Sequence, residues 1–366
     1  MKGRKYDSSL VNKIRKNAFV TEEEGISIIN KVVPDDERPH VMDPRIFEIA
    51  TAKYSMFRER AKAGWKLSNE RYRPDKITYD LCESSIVEEE FLIEIDSDHM
   101  IDIFEFKPKN AVGLLPCMIY LHGGGMTAGD IRLYRDQMRL IAEKASAVVL
   151  FPEYRLAPEC PFPGPVKDCY GTLEYVYSHA EELGINKSKI MLAGDSAGGQ
   201  LTNAVILTDE RHRVRKVFEL YPAFDVRNYN AIKEYQWSYC KYAFIPEQEE
   251  IIRSRIERIK NAMDHESKHS VNLYLQNKTA PANPLVSAYC AEDDDLKKFP
   301  ETVIAFSEFD YLTVGIIESI KKLKNLDVQI KAIRYCGCDH GFLDLLGTVV
   351  QAEECCLTIS EEIRSM

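Results

Sequence analysis

A short segment in the middle of the chain carries a serine in a setting that could support nucleophilic chemistry. Gly194-Asp195-Ser196-Ala197-Gly198 follows the apolar run KIMLA and precedes a helix-like stretch. A serine at a strand-to-helix turn needs small residues two positions before and after it, because larger side chains would collide with the helix or the adjacent strand. The turn then projects the hydroxyl above the sheet. An ordinary glycine-containing turn is the alternative when the motif is considered alone.

A glycine-rich segment follows a second apolar run. His122, Gly123, Gly124 and Gly125 come directly after CMIYL. Consecutive glycines let backbone N–H groups approach a ligand without obstruction by Cβ atoms, and such donors can hold the oxyanion of a tetrahedral intermediate. A flexible turn or a phosphate-binding loop is the alternative. No Lys-Ser or Lys-Thr pair follows the glycines and the GxGxxG spacing is absent, which disfavours nucleotide binding.

A candidate acid and a candidate base follow the serine along the chain. Asp310 lies just past the strand-like run VIAFSEF, and His340 lies just past the next such run. A serine, an acid and a histidine in this order, each after a successive strand, predict a catalytic triad. The rival acids are Glu308, which is less favoured by position, and Asp339, which is too close in sequence to reach Nδ1 of His340 easily. A structural histidine is the alternative for His340 alone.

Strand-forming and helix-forming segments alternate along most of the chain from residue 86. This alternation predicts βαβ units and an α/β fold with a mostly parallel central sheet flanked by helices. The strand-like runs are FLIEID, IDIFEFKP, CMIYL, AVVLFP, KIMLAGD, VRKVFELY, ETVIAFS and VQIKAIRY, and the helical segments include IRLYRDQMRLIAEKA, KDCYGTLEYVYSHAEEL and VGIIESIKKLK. Since ligands of such sheets bind at the carboxyl ends of the strands, the three candidate segments should meet there.

Two regions depart from the alternation. Residues 1–75 are predicted to be a helical segment, with Asp43 as N-cap and Pro44 at the first position of an amphipathic helix. Residues 223–295 contain a charged helical run that is far longer than an ordinary connection. We expect both regions to form a helical cap, and residues 76–222 and 296–366 to form the two parts of the core.

Composition excludes several classes of function. The net charge is −10 over 366 residues, and the sequence lacks the basic patch on which nucleic-acid binding depends. No segment approaches the roughly 20 apolar residues of a membrane-spanning helix, and no apolar segment of a secretory signal follows the N-terminal basic residues. A cytoplasmic location is expected. The ten cysteines are interpreted as reduced thiols, and the spacing of Cys336/Cys338 and Cys355/Cys356 does not fit a zinc site.

From about Phe106 to the C-terminus, the sequence resembles the hormone-sensitive-lipase-like family of α/β-hydrolases, which includes bacterial carboxylesterases. The resemblance rests on HGGGMTAGD, YRLAPE, GDSAGG and the closing DHGF. It implies the α/β-hydrolase fold, with a cap built from N-terminal helices and from an insertion after VRKVFELY. Two positions depart from the family pattern. Val314 stands where a second acid is common, and Met126 stands where a large aromatic is frequent.

The resemblance also implies a role for each motif residue. Ser196 would be the nucleophile, His340 the general base and then acid, and Asp310 the partner that orients His340. Oxyanion donors would be the backbone N–H groups of Gly124, Gly125 and Ala197. The motif residues that would support this machinery are His122, Gly123, Gly194, Asp195 and Gly198.

The predicted function is that of a serine carboxylesterase acting on small esters with short acyl groups, such as acetyl esters. It requires no cofactor and no metal. Some aromatic residues of the expected cap would shorten the acyl cavity, although the alternative for any single one is a core residue that joins the cap to the sheet. The aromatic residues are Tyr54, Phe57, Trp65, Tyr235, Trp237, Tyr239, Tyr242 and Phe244. The alternatives are an amidase or deacetylase acting on N-acyl substrates, and a non-catalytic receptor on the same scaffold. Relatives often dimerise, so a homodimer is one further expectation.

Overall fold

A single twisted sheet forms the centre of the computed structural model, which describes residues 3–64, 66–72, 77–263 and 270–366. Its ten strands lie in the order β1-β2-β10-β9-β8-β7-β5-β6-β4-β3. The strands are β1 Phe19–Glu23, β2 Ile26–Lys31, β3 Ile86–Asp96, β4 His99–Pro108, β5 Leu115–Leu121, β6 Val148–Pro152, β7 Ile185–Asp195, β8 Lys216–Leu220, β9 Glu301–Phe309 and β10 Ile330–Asp339.

Helices are distributed along the whole chain and pack against the sheet and against one another. They are α1 Ser9–Lys16, α2 Pro44–Ala63, α3 Leu67–Arg71, α4 Ile131–Ala145, α5 Gly164–Ser178, α6 Ala197–Thr208, α7 Glu249–Ala262, α8 Ser270–Leu275, α9 Asp293–Leu296, α10 Thr313–Asn325 and α11 Val350–Arg364. Among the helices of the described ranges, none combines the length and the apolar character that crossing a bilayer requires.

The sheet is mostly parallel, as the alternation of strands and helices predicts. From β2 across to β6, every neighbouring pair of strands runs parallel, and the antiparallel pairs lie at the two edges. Every residue of β6 and of β8 is buried. Strands covered on both faces need continuous apolar sequences rather than alternating ones, and VVLFP meets that need.

The N-terminal region differs from the expectation of a helical segment. Residues 19–31 form the hairpin β1–β2, and β2 extends the sheet by pairing in parallel with β10, with Ile28 opposite Ala332. Glu24 and Gly25 form its two-residue turn, with φ values of 49° and 84°, which is the conformation that suits the twist of a hairpin. Alternate burial along β2 is the period-two signal that the helical interpretation missed.

The expected helix after Asp43 is present. α2 begins at Pro44, and the Asp43 carboxylate accepts a hydrogen bond from the backbone N–H of Arg45 at 2.9 Å, as an N-cap does. The Tyr54 hydroxyl donates to the carboxylate of Glu250 on α7 at 2.7 Å. A helix of the N-terminal region therefore contacts a helix of the insertion. The side chain of Phe57 and all of Trp65 lie outside the described residues.

The long charged run of the insertion forms two helices, α7 and α8, with residues 264–269 between them outside the described part of the chain. α7 buries Ile251, Ile252, Ile256 and Ile259, which is the spacing of an amphipathic helix. The division into residues 1–75, 76–222, 223–295 and 296–366 remains a prediction.

Candidate active site

The register of the parallel strands brings the candidate segments to one edge of the sheet. Leu121 at the end of β5 pairs with Gly194 on β7, so the glycine loop begins beside the turn that carries Ser196. Asp339 at the end of β10 pairs with Phe309 on β9, so the next residues, His340 and Asp310, also emerge side by side.

Ser196 lies at a sharp turn between β7 and α6. Its φ is 56° and its ψ is −117°, a conformation that non-glycine residues rarely adopt unless their surroundings enforce it. Its backbone N–H donates to the carbonyl of Leu220 at 2.9 Å. A Cβ on Gly198 would lie 1.8 Å from the carbonyl oxygen of Leu121, and one on Gly194 would lie 2.5 Å from the backbone of Gly198. The small residues are therefore required by the packing of the turn.

His340 lies between Ser196 and Asp310. The distance from Nε2 to the Ser196 hydroxyl oxygen is 2.8 Å, and the distance from Nδ1 to Oδ2 of Asp310 is 2.6 Å. Because the carboxylate is an acceptor, Nδ1 carries the proton and Nε2 is the acceptor for the serine hydroxyl. The backbone N–H of Leu312 donates to the other Asp310 oxygen at 3.1 Å. The buried carboxylate is thereby fixed at both oxygens.

The rival acids have other partners. The Glu308 carboxylate binds Nδ1 of His40 at 2.8 Å and accepts a hydrogen bond from the Gly337 backbone N–H at 2.8 Å. The hydrogen bond to Glu308 raises the pKa of His40. The Asp339 carboxylate forms an ion pair with Arg255 on α7. The structure thus brings Asp310, and neither rival carboxylate, to the His340 ring.

Asp195 joins the glycine loop to the serine turn. Its buried carboxylate accepts hydrogen bonds from the Gly123 backbone N–H at 2.8 Å, the Tyr120 hydroxyl at 3.0 Å and the Tyr134 hydroxyl at 3.1 Å. Burial raises the pKa of Asp195, although these donors oppose the rise. Sequence reasoning included Asp195 as a motif residue but missed both tyrosines. The signal for Tyr120 was a hydroxyl within the apolar run CMIYL.

His122 is a second buried side chain that contacts the glycine loop. Its ring is buried against Tyr154 with the ring centroids 4.2 Å apart, and its Nδ1 lies 2.8 Å from the Gly123 carbonyl oxygen. The Tyr154 hydroxyl donates to the His122 carbonyl at 2.5 Å. Burial lowers the pKa of His122 to about 4, so the imidazole is neutral at physiological pH. His122 is suited to scaffolding rather than to proton transfer.

Three backbone N–H groups in the glycine loop and after Ser196 have no acceptor of their own among the residues that the structure describes. The amide nitrogens of Gly124, Gly125 and Ala197 make no hydrogen bond within the described part of the chain. Gly124 has a φ of 128°, and a Cβ there would lie 1.9 Å from the carbonyl oxygen of Ala128. Met126, the next residue after the glycines, is buried, and its carbonyl accepts from the Ala157 N–H at 2.8 Å.

Several aromatic residues of the insertion contact the loop that carries Asp310. The Trp237 ring lies 5.2 Å from that of Tyr311, and the Phe244 ring lies 6.5 Å from that of Phe309. The Tyr242 hydroxyl donates to the Asp310 carbonyl at 2.9 Å. These side chains therefore connect the insertion to Phe309 at the end of β9 and to Tyr311 just after Asp310.

A cleft of about 580 Å³ is lined in part by Ala128 and Gly129, and the side chains of Ser196, Asp310 and His340 are not among those that line it. Its arginines are paired with carboxylates; the pairs are Arg71–Glu159, Arg132–Asp130 and Arg155–Asp168. Burial raises the pKa of Glu153 in this cleft to about 7. Within the described residues, no group of three or more His, Cys, Asp or Glu side chains is arranged to hold a metal ion.

Comparison with known proteins identifies the class. Residues 118–344 match a family described as having the alpha/beta hydrolase fold, and the chain belongs to this family. An esterase of Gibberella moniliformis is 30% identical over 234 residues, which are 62% of this chain and 67% of the relative. An arylesterase of Saccharolobus solfataricus is 27% identical over 226 residues, or 62% of this chain and 68% of that protein.

Solved structures of esterases share the fold. One of two fungal esterases from Rhizomucor miehei aligns with a TM-score of 0.70 and 21% identity, covering 90% of this chain and 98% of its own. At this identity the likeness concerns the fold. The predicted α/β-hydrolase fold and the predicted enzyme class, a carboxylic ester hydrolase, are both confirmed.

The shape of the glycine loop generates a first prediction. Gly124→Ala should lower kcat for p-nitrophenyl acetate by about a hundred- to a thousandfold, because the new Cβ would displace the loop and its N–H donors. Gly113→Ala is the matched control, since Gly113 also has a positive φ but has open space around it, and it should leave kcat unchanged. Equal activity of the two variants would contradict this role of the loop.

Proposed function

We propose that this carboxylic ester hydrolase is a serine carboxylesterase that cleaves small esters of short acyl groups, such as acetyl esters. The observation that carries the proposal is the position of the His340 imidazole, 2.8 Å from the Ser196 hydroxyl on one side and 2.6 Å from the Asp310 carboxylate on the other. A serine activated by an adjacent, oriented imidazole is the arrangement that acyl transfer needs.

In the first half of the reaction, Ser196 becomes acylated. Nε2 of His340 takes the hydroxyl proton as Oγ attacks the ester carbonyl carbon, and the carbonyl oxygen becomes an oxyanion. The backbone N–H groups of Gly124, Gly125 and Ala197 would donate to that oxyanion. The bond to the alcohol oxygen then breaks, and His340 returns the proton to the leaving alcohol.

In the second half, water removes the acyl group. His340 takes a proton from the water as its oxygen attacks the acyl carbon, and the oxyanion forms again at the same donors. The bond to Oγ breaks, the carboxylic acid leaves, and His340 returns the proton to Ser196. Asp310 keeps the proton on Nδ1 and stabilises the imidazolium that forms in each step.

The preference for short acyl groups is inferred from the bulk of the insertion around the acid loop. Trp237, Tyr242 and Phe244 are only partly buried and lie against the residues that flank Asp310. We expect rings at this position to limit the space that an acyl chain can occupy beside His340. A longer acyl chain gains about 0.8 kcal/mol for each methylene only while that group finds a buried place.

The nucleophile is tested by Ser196→Ala. This variant should fold normally, because a small side chain suits the turn, and should lose several orders of magnitude in kcat for p-nitrophenyl acetate. Ser188→Ala, at an exposed position on β7, the strand that precedes the Ser196 turn, is the control and should keep the wild-type rate. Retention of more than a few per cent of activity by Ser196→Ala would overturn the proposal.

The acid is tested by Asp310→Asn. The amide would favour the wrong tautomer of His340, so kcat should fall by up to about ten-thousandfold with little change in substrate binding. The matched control is Glu308→Gln, which alters a nearby carboxylate that binds His40 instead and should keep most of the activity. A larger loss in Glu308→Gln than in Asp310→Asn would show that the acid is misassigned.

Acyl length is tested with a series of monomeric p-nitrophenyl esters. The value of kcat/KM should be highest between acetyl and roughly hexanoyl and should fall beyond that length, since clashes then replace the gains from burial. Trp237→Ala should move the optimum to longer chains. Catalytic efficiency that climbs steadily to dodecanoyl in the wild type would contradict the inferred restriction.

A further inference from the structure

Three side chains of the insertion donate to the loops that carry Asp310 and His340. Arg255 on α7 forms an ion pair with Asp339, the residue before His340. Arg258, one turn further along α7, donates to the carbonyl oxygen of His340 at 3.0 Å. The Tyr242 hydroxyl donates to the carbonyl oxygen of Asp310 at 2.9 Å.

The spacing on α7 explains how one helix reaches both groups. Arg255 and Arg258 are three residues apart, so they lie on the same side of the helix. The buried face that contains Ile252, Ile256 and Ile259 anchors the helix beside them. Arg253 lies elsewhere on α7, where it pairs with Glu249 and stacks over the Tyr239 ring at 4.2 Å.

Burial makes the contact with Asp339 consequential. The Asp339 side chain is 2% exposed and that of Arg255 is 16% exposed. Removing one partner of a buried pair leaves an uncompensated charge, so the loop would rearrange to reach water or another donor. The Asp339 carbonyl also accepts from the Ser307 hydroxyl at 2.9 Å, which ties the same loop to β9. The loop that carries His340 is therefore held by one hydrogen bond from β9 and by two contacts from the insertion, those of Arg255 and Arg258.

We propose that Arg255, Arg258 and Tyr242 are positioning residues, through which the insertion sets the distance and angle of His340 and Asp310 relative to Ser196. This inference rests on the proposed function. It gives the insertion a role in the chemical steps in addition to substrate binding. A substrate that shifts α7 would also shift the base, because the two arginines contact the backbone and the neighbour of His340.

An insertion that only binds the substrate and an insertion that also positions His340 predict different effects on kcat and KM. If the insertion only covers the bound substrate, weakening the contacts of the insertion with the Asp310 and His340 loops should raise KM and leave kcat close to the wild-type value. If it positions the base, kcat should fall while KM stays nearly constant, because a displacement of the imidazole by about 1 Å can cost a hundredfold in rate. A lysine should partly restore kcat at position 255, since it retains the charge opposite Asp339.

The experiment compares the full-length variants Arg255→Ala, Arg255→Lys, Arg258→Ala, Tyr242→Phe and the control Arg253→Ala. The readouts are kcat and KM for p-nitrophenyl acetate and the rate of phosphonylation by a fluorophosphonate, which reports the activation of the serine without a deacylation step. We expect kcat and the phosphonylation rate to fall about ten- to a hundredfold in Arg255→Ala and Arg258→Ala, and less in Tyr242→Phe. KM should change by less than about threefold, and Arg255→Lys should recover part of the loss.

Unchanged kcat in both arginine-to-alanine variants, or an equal loss in Arg253→Ala, would overturn the inference. A rise in KM as the main effect would overturn it as well. Arg255→Lys and Tyr242→Phe keep the test decisive if an alanine variant fails to fold. Failure of the proposed function is distinguishable, because it would appear as persistent turnover in Ser196→Ala, whereas failure of the positioning role leaves that variant inactive.

Discussion

The close contact between the serine turn and strand β5 is the constraint on which the rest of the site depends. With no space for a Cβ at Gly198, the first turn of α6 lies directly against the Leu121 carbonyl. Ser196, at the start of this turn, has a positive φ, and its hydroxyl lies within hydrogen-bond distance of Nε2 of His340. Because Leu121 precedes the glycine loop, this packing also sets the distance between the Ser196 turn and the backbone N–H groups of that loop. Asp195 strengthens the link by accepting the Gly123 N–H.

The other half of the site depends on a local irregularity in the pairing of β9 and β10. The register shifts between Tyr335 and Asp339, and within that interval Gly337 adopts a φ of 72°. A Cβ there would lie 2.4 Å from the Val33 side chain. The bulge realigns the two strand ends so that Asp339 pairs with Phe309, which places Asp310 and His340 next to each other. Bulges commonly redirect side chains beside active sites in this manner.

The sequence was sufficient for the core fold and for the choice of candidate residues, because both are encoded locally. Buried parallel strands appear as apolar runs, and each of Ser196, Asp310 and His340 directly follows one. Local signals were insufficient where long-range partners decide. The pairing of β2 with β10 joins residues about 300 positions apart in the chain, and it converts residues 19–31 from expected helix into an edge hairpin. The contacts of Arg255 and Arg258 could not be read from a charged helical run, since most such charges face solvent.

The central claim is that Ser196 is the residue to which the acyl group is transferred. The most direct measurement is the site of covalent attachment after the wild-type protein reacts with a fluorophosphonate, determined by proteolysis and tandem mass spectrometry. We expect one modified peptide, with the phosphonyl group on Ser196, formed at the rate at which esterase activity is lost. Loss of activity with the adduct on another residue, or full adduct formation on Ser196 with activity retained, would contradict it.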